Sequence, residues 1–432
     1  MINVREFVNN EINTESVQKA IDYAAENKKV LYFPGGVYTV TSLRLKDNSS
    51  IYLDKDAILS ASLDPEEWAK TPLKPIFYSE NAKKVSIRGK GTLTANGYAF
   101  VDEKGYRKKT EKRPEAIIRF VNVSDVVVEN VTLREGVGWT FHLDNCDDVL
   151  IDGVIIRNPT YNTRKNSDGI DINGCRNVTI MNCDIETGDD AICLKNVAYK
   201  PGVEAYVNEH ATADIKRPDM YNINVYNCTV ASSCNSTKIG TETVGSVIRD
   251  ISFEKITVKK HPAMMEHGAG NPPYESCHSL TAISIQSNDG AVVKNISFKD
   301  YYVETVESPI FILYQQRGRI VPASDDGEVS NITIDNVYVK KSYRTSQILS
   351  SHAGKIKDVK ISGMYARTFE APSSEYTPMI PTGNEYPDVY NFGRFPAYGL
   401  YSENAQNVQV GDNVIFVDEA HSGRIAVETK TL

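Results

Sequence analysis

A short internal repeat is the feature that most restricts this chain. An Asn- or Asp-containing turn, a hydrophobic strand, a second turn and a short strand recur in NVSDVVVENVTL (122–133), NCDDVLIDGVII (145–156) and GCRNVTIMNCDI (174–185). The pattern returns in YNINVYNCTV (221–230), IRDISFEKITV (248–258), VKNISFKDYYV (293–303), VSNITIDNVYV (329–339) and IKDVKISGMYA (356–366). Val126 and Val149 are 23 residues apart, and Val149 and Val178 are 29 apart. Periods of this size belong to stacked coils rather than to separate domains. The strands alternate apolar and polar residues or are rich in Val and Ile, as half-buried strands require. Asn and Asp suit the turns because they tolerate the left-handed conformation and bond their own backbone. A single coil cannot bury its apolar face and must stack on neighbours. The expected fold is all-β, a parallel β-helix. The LxxLxL pattern of the competing leucine-rich solenoid is absent.

The 432 residues are expected to form one domain: a cap over 1–28, coils over 29–366 and a C-terminal covering segment over 367–432, where the repeat fades into Pro, Tyr and Asn. Val17, Ala20, Ile21 and Ala24 have helical spacing, with Asn13 or Thr14 as cap. A helix there would shield the open strand edge of the first coil. Long intervals between repeats make 196–220 and 259–279 projecting loops, which on one face of a solenoid commonly wall a groove.

Composition removes several functions. A net charge of −8 without a basic stripe argues against nucleic acid as partner. No apolar run is long enough for a transmembrane helix, so no membrane partner is expected. The N-terminus MINVREFVNNEINTESVQKA lacks the apolar core of a secretory signal. The expected compartment is the cytoplasm, or the periplasm or exterior if a signal was removed. Seven cysteines without a CxxC spacing read as core thiols rather than a zinc site. The 24 tyrosines show no clear stripe in the sequence.

NSDGIDI (166–172) and GDDAICLK (188–195) place aspartates directly before hydrophobic strands. Asp168 and Asp189 are 21 residues apart, roughly one coil, and successive coils stack about 4.8 Å apart. Three carboxylates, Asp168, Asp189 and Asp190, would then crowd the entry of two strands. One Asp in such a turn reads as structural. A trio on adjacent coils reads as acid–base chemistry, because hydrolysis of an acetal needs one carboxyl to protonate the leaving oxygen and an ionised partner to activate water.

With KIGTE (238–242), RPEAIIRF (113–120) and GWTFHLDNC (138–146), these motifs make the chain from about 30 to 340 resemble the polygalacturonase family of glycoside hydrolases, family 28. The resemblance implies a right-handed parallel β-helix and an inverting hydrolase of pectin-like polysaccharide or oligosaccharide, with no cofactor or metal. It puts the general acid on Asp189 and water activation on Asp168 and Asp190.

The sequence departs from that pattern at two places. Cys234-Asn235-Ser236 stands where the family has Gly-His-Gly, and Ser284-Ile285-Gln286 where it has Arg-Ile-Lys. A uronate carboxylate is held far better by Arg or Lys than by neutral donors, so the expected substrate is not plain polygalacturonan. Lys195, Lys238, Arg164 and Lys165 are candidate replacements for the missing charge, beside their reading as surface or ladder positions. Asn235, Gln286 and Glu242 are candidate sugar contacts. His142 lines a sugar subsite or is a satisfied structural residue, and Trp139 stacks on a sugar or belongs to the core. Glu266, His267 and Tyr274 could close one end of a groove. Two alternatives stand beside hydrolysis: a polysaccharide lyase using calcium on the aspartates, and a non-catalytic glycan-binding β-helix.

Overall fold

The computed structural model describes residues 1–8, 12–100, 112–158, 166–196, 211–212, 218–261, 265–266, 275–276, 278–317, 320–321 and 326–430. It is 56% strand and 7% helix, and the fold class is the expected all-β right-handed parallel β-helix. Two compact units divide the chain, Met1–Ala191 and Ile192–Leu432.

In the first unit, each coil lays one strand on each of three faces. The first face carries β1 (Leu43–Leu45), β2 (Phe77–Glu80), β3 (Ile118–Val121), β4 (Phe141–Asp144) and β5 (Ile170–Asn173), all parallel. The second face stacks Val85, Val126, Val149 and Val178 in register, with Ile87, Val128, Ile151 and Ile180 two residues on. The third stacks Leu59, Leu93, Leu133, Ile156 and Ile185. These side chains are essentially fully buried. Period-two alternation sends them inward and their neighbours outward.

The helix α1 (Thr14–Glu26) begins at Asn13, whose side chain accepts the Ser16 N–H at 2.9 Å. Its apolar stripe, Val17, Ala20, Ile21 and Ala24, is buried as expected.

In the second unit, the first face carries β6 (Ile192–Asn196), β7 (Asn235–Thr243), β8 (Ser279–Ser287), β9 (Val306–Tyr314), β10 (Ser346–Ser350), β11 (Ala397–Glu403) and β12 (Ile425–Lys430). The other faces run together in long strands, among them Val247–Val258, Val292–Val303, Glu328–Ser342 and Ile356–Thr368.

The expected covering segment is only partly what 367–432 forms. Residues 369–396 are irregular, but Ala397–Glu403, Ala405–Val410, Ile415–Asp418 and Ile425–Lys430 return to the parallel stack. AQNVQV obeys the same rule as the earlier coils, with Asn407 in the left-handed region, yet its few apolar residues hid it.

Asn and Asp carry most of the turns. Asn122, Asn145, Asn177, Asn222, Asn295, Asn331 and Asp358 have φ between 53° and 58°, except Asn145 at 50°. Their side chains ladder from coil to coil: Asn145 donates to Asn122 at 2.6 Å, Asn331 to Asn295 at 2.9 Å and Asn407 to Asp358 at 2.6 Å.

A tyrosine stripe does exist, contrary to the sequence reading. Tyr302, Tyr338 and Tyr365 stack in register on three coils, with ring centroids 5.7 and 5.4 Å apart. Gaps of 36 and 27 residues kept it from view.

Candidate functional site

On the first unit's first face, parity turns Arg119, His142 and Asp171 away from the core, in one register row. Val121, Asp144 and Asn173 form the next row. All six are buried. Asp144 Oδ1 lies 3.0 Å from His142 Nε2 and accepts the Asn173 amide at 2.6 Å, while its Oδ2 faces Arg119 Nε at 3.4 Å. Burial opposes ionisation of Asp144, but His142, Arg119 and the Asn173 hydrogen bond more than overcome it and hold the carboxyl down to about 2. The ring of half-buried Trp139 meets His142 edge-on at 4.7 Å. His142 therefore has a carboxylate partner of its own.

The aspartate trio sits at the entry to β5 and in the turn one coil later. Asp168 and Asp190 are buried and Asp189 is half-buried. Backbone bonds from Gly169 N to Asp190 O and from Ile170 N to Ala191 O, both 2.9 Å, set Asp168 beside Asp190 in the ladder. The partner in register is thus the second aspartate of GDD, one residue beyond the spacing read from the sequence.

Asp189 is held from both sides. Its Oδ2 accepts the Asn166 N–H at 2.8 Å and its Oδ1 the Asp190 N–H at 2.9 Å. A carboxyl group offers about four lone-pair positions, so these bonds orient it and still leave room for a proton. Carboxylate oxygens of Asp189 and Asp190 approach within 4.8 Å, as do those of Asp168 and Asp171.

The local sequence explains the geometry. A Cβ on Gly169 would stand 2.4 Å from the Ala191 carbonyl oxygen and 2.8 Å from Ile185 Cγ2. The glycine of NSDG is therefore what lets the GDDA backbone close onto it. Buried Asn158 ties down the approach: it donates to Thr140 Oγ1 at 2.7 Å and Ser167 O at 3.1 Å and accepts the Gly136 N–H at 2.8 Å. Neither Asn158 nor Asp171 was singled out from sequence. Asp171 was legible, since it lies between the core residues Ile170 and Ile172 and must face outward.

In the second unit, Lys238 and Ser284 are register neighbours on β7 and β8, and Lys195 stands on β6; all three are buried. Asn235 accepts the Thr281 hydroxyl at 2.7 Å. Gln286 accepts the Thr241 hydroxyl at 3.1 Å and donates to Ser284 at 3.0 Å. Both are buried and bonded to neighbouring coils.

Positive charge does return to this face, from the candidate residues Lys195 and Lys238 and from Arg317, which the sequence did not single out. Burial raises the Glu242 carboxyl, but Lys195, Arg317 and Lys238 overcome that and hold it below the ordinary range. Arg317 is fixed by Asp289, with Nη2–Oδ2 at 2.6 Å and Nε–Oδ1 at 3.4 Å, and donates to Thr241 O at 3.2 Å. Arg317 follows β9 in an irregular stretch, 76 residues from Thr241, so no local pattern announces it. Arg164, Lys165, His267 and Tyr274 lie outside the described residues, and of Glu266 only the backbone is described.

The sequence profile of glycosyl hydrolases family 28 matches residues 25–265, more than half of the chain. A probable polygalacturonase of Vitis vinifera is 27% identical over 205 residues, 43% of this chain and 41% of that protein. The exopolygalacturonase X-1 of Emericella nidulans is 24% identical over 74% of this chain and 70% of its own. The chain's matches to the Vitis vinifera and Persea americana proteins span about two fifths of those proteins' length. Among solved structures, an exopolygalacturonase from Thermotoga maritima superposes with a TM-score of 0.62 at 20% identity, over 85% of this chain and 87% of that one. An exopolygalacturonase of Yersinia enterocolitica gives the same TM-score at 14% identity, over 99% of this chain and 78% of its own. With the aspartate motifs and the parallel coils that carry them, the profile match makes this chain a member of the glycosyl hydrolases family 28.

Proposed function

We propose that this chain is a glycoside hydrolase that cleaves α-glycosidic bonds of pectin-like or related saccharides with inversion. The observation that carries the reading is the carboxylate cluster: Asp168 in register with Asp190 on the next coil, and Asp189 beside them with both oxygens oriented by backbone N–H groups. Asp189 protonates the leaving oxygen, and Asp168 and Asp190 take the proton of the attacking water. Crowded carboxylates favour this division, since like charges resist ionising together. Inversion rests on the family resemblance.

The substrate is a saccharide other than plain polygalacturonan. Asn235, Ser284 and Gln286 are neutral where the family's pattern is cationic, and Lys195, Lys238 and Arg317 around Glu242 supply charge from other positions. An acidic sugar held by lysine and arginine in that new arrangement fits this face. Lys195, Lys238, Glu242, Asn235 and Gln286 are the proposed sugar contacts of the second unit, and His142 and Trp139 those of the first.

Reducing-end release on a panel of pectic and neutral plant saccharides tests this, with Asp189→Asn beside the wild type. A loss of about 10³-fold or more is expected for a general acid acting in a unit with its partners. Equal release by both proteins would remove Asp189 from the chemistry. Proton NMR of the first anomer formed tests inversion.

A further inference from the structure

The stacked tyrosines of the second unit lie on strands other than β7–β12 and have no part in the first-face chemistry. Tyr302, Tyr338 and Tyr365 occupy one outward register row on three coils, preceded by Thr257 and followed by Ile415. Their chain neighbours Val303, Val339 and Ala366 point inward and are fully buried, so the rings stand on a packed floor. Tyr302 is 42% exposed, Tyr338 43% and Ile415 54%, while Tyr365 is half-buried. Adjacent rings are nearly parallel, with 7° and 8° between their planes. Centroid separations of 5.7 and 5.4 Å are those of offset stacking, which covers each ring only in part. Among the described residues, none of the three hydroxyls has a hydrogen-bond partner.

Charge lines the same row. Two residues further along each coil, and by parity also outward, stand Lys259, Glu304, Lys340 and Arg367. Glu304 accepts the Lys260 N–H at 3.0 Å, and Arg367 is paired with Glu419, Nε–Oε1 at 2.6 Å. Lys259 and Lys340 are exposed, and among the described residues neither has a carboxylate partner. On a chain of net charge −8, the margin of the aromatic row therefore carries two uncompensated ammonium groups.

A contiguous exposed apolar row rimmed by polar groups marks a binding surface. Tyrosine combines an apolar body, on which the C–H face of a pyranose can rest, with a hydroxyl that bonds to sugar hydroxyls. Ammonium groups at the rim recognise carboxylates. Successive coils rise by about 4.8 Å, comparable with the length of one sugar in an extended chain, so a saccharide can follow the row with one sugar to a coil. We propose that Tyr302, Tyr338 and Tyr365, with Lys259 and Lys340 beside them, form an accessory site that binds a uronate-bearing saccharide chain laid along the coil axis. The site does no chemistry; it holds polymer on the protein. The acidic occupant follows from the two lysines and rests in part on the reading of this protein as a hydrolase of pectin-like saccharides.

The test is calorimetric titration of the full chain carrying Asp189→Asn with polygalacturonate, as the polyanion and as its full methyl ester. The polyanion should bind, and the ester, which keeps the sugars and loses the charge, should bind several-fold more weakly. Adding Tyr338→Ala should weaken binding of the polyanion by about three- to tenfold, while Tyr338→Phe, which keeps the ring, should bind close to the parent. Lys259→Gln with Lys340→Gln should weaken binding and flatten its salt dependence. The polyanion should also shield Tyr302 and Tyr338 from hydroxyl-radical labelling. On the shortest saccharide that the wild type cleaves, Tyr338→Ala should leave kcat and KM unchanged. If no saccharide is cleaved, the hydrolase reading fails and the titration still decides the site. Unchanged affinity in Tyr338→Ala and in the double lysine variant, an ester that binds as well as the polyanion, or no shielding of the tyrosines would each overturn the proposal. A dimer that Tyr338→Ala dissolves would assign the row to a second copy of the chain and overturn it as well.

Discussion

Asp144 should make the stability of this protein depend on pH in a way that can be isolated. Its carboxylate is buried among His142, Arg119 and Asn173 and titrates at about 2, against an ordinary value near 3.8. At ~1.4 kcal/mol per pH unit, that depression contributes about 2–3 kcal/mol to folding. The unfolded chain binds the proton more readily, so the contribution is complete well above 3.8 and is lost as pH falls through about 2. Asp144→Asn removes it and leaves the buried Arg119 guanidinium without this carboxylate, a loss of about 3–5 kcal/mol at neutral pH. Urea unfolding of both proteins from pH 7 down to pH 2, followed by tryptophan fluorescence, measures the gap between them. Titration of every other carboxyl largely cancels in the difference. The gap should narrow by about 2 kcal/mol on acidification. A gap that stays constant or widens would show that Asp144 is not an ionised, charge-paired group in the folded protein.

Further outcomes follow from the same structure. Gly169→Ala forces a Cβ against Ala191 O and should cost about 1–3 kcal/mol of overpacking in thermal or urea unfolding, with kcat falling at least tenfold if the trio is catalytic. Arg317→Ala strands buried Asp289 and should destabilise by about 3–5 kcal/mol, and adding Asp289→Asn should restore a large part of it, read by a double-mutant cycle. Asn13→Ala removes the cap of α1 and should cost about 1 kcal/mol, visible as earlier hydrogen exchange in residues 14–18.

The fold was legible because it is a local rule applied many times. Val126, Val149 and Val178 stack as their spacing says, and of the two expected caps, Asn13 and Thr14, it is Asn13 that caps the helix. The aspartate motifs were legible for the same reason: NSDG and GDD each lie within seven residues of a strand they feed. What escaped depends on contacts that no short window contains. Arg317 reaches the Glu242 face from an irregular stretch, Asp144 gains its meaning only from side chains on two other coils, and Val389, Phe392 and Phe395 show their place only once they cluster with Phe311 and Leu313. The register of Asp168 with Asp190 rather than Asp189 was one residue beyond the reach of counting, because the turn between coils absorbs the difference.

The asparagine turns also bear on how such a chain avoids misfolding. A slip of one residue would move a valine or isoleucine into a left-handed turn position and expose the whole inward row, so small errors of register are expelled by sterics and by water together. The dangerous error is a slip by an entire coil, which preserves both the turn and the apolar row. Unequal coil lengths guard against it: the laddered Asn and Asp positions are 23 residues apart between Asn122 and Asn145, 45 between Asp250 and Asn295, 36 between Asn295 and Asn331 and 49 between Asp358 and Asn407. A strand that skipped one rung would have to close its loop with the wrong length of chain. The irregular loops therefore act as a key that admits each strand to a single rung, and trimming them to one uniform length should yield a protein that stacks readily but in mixed order.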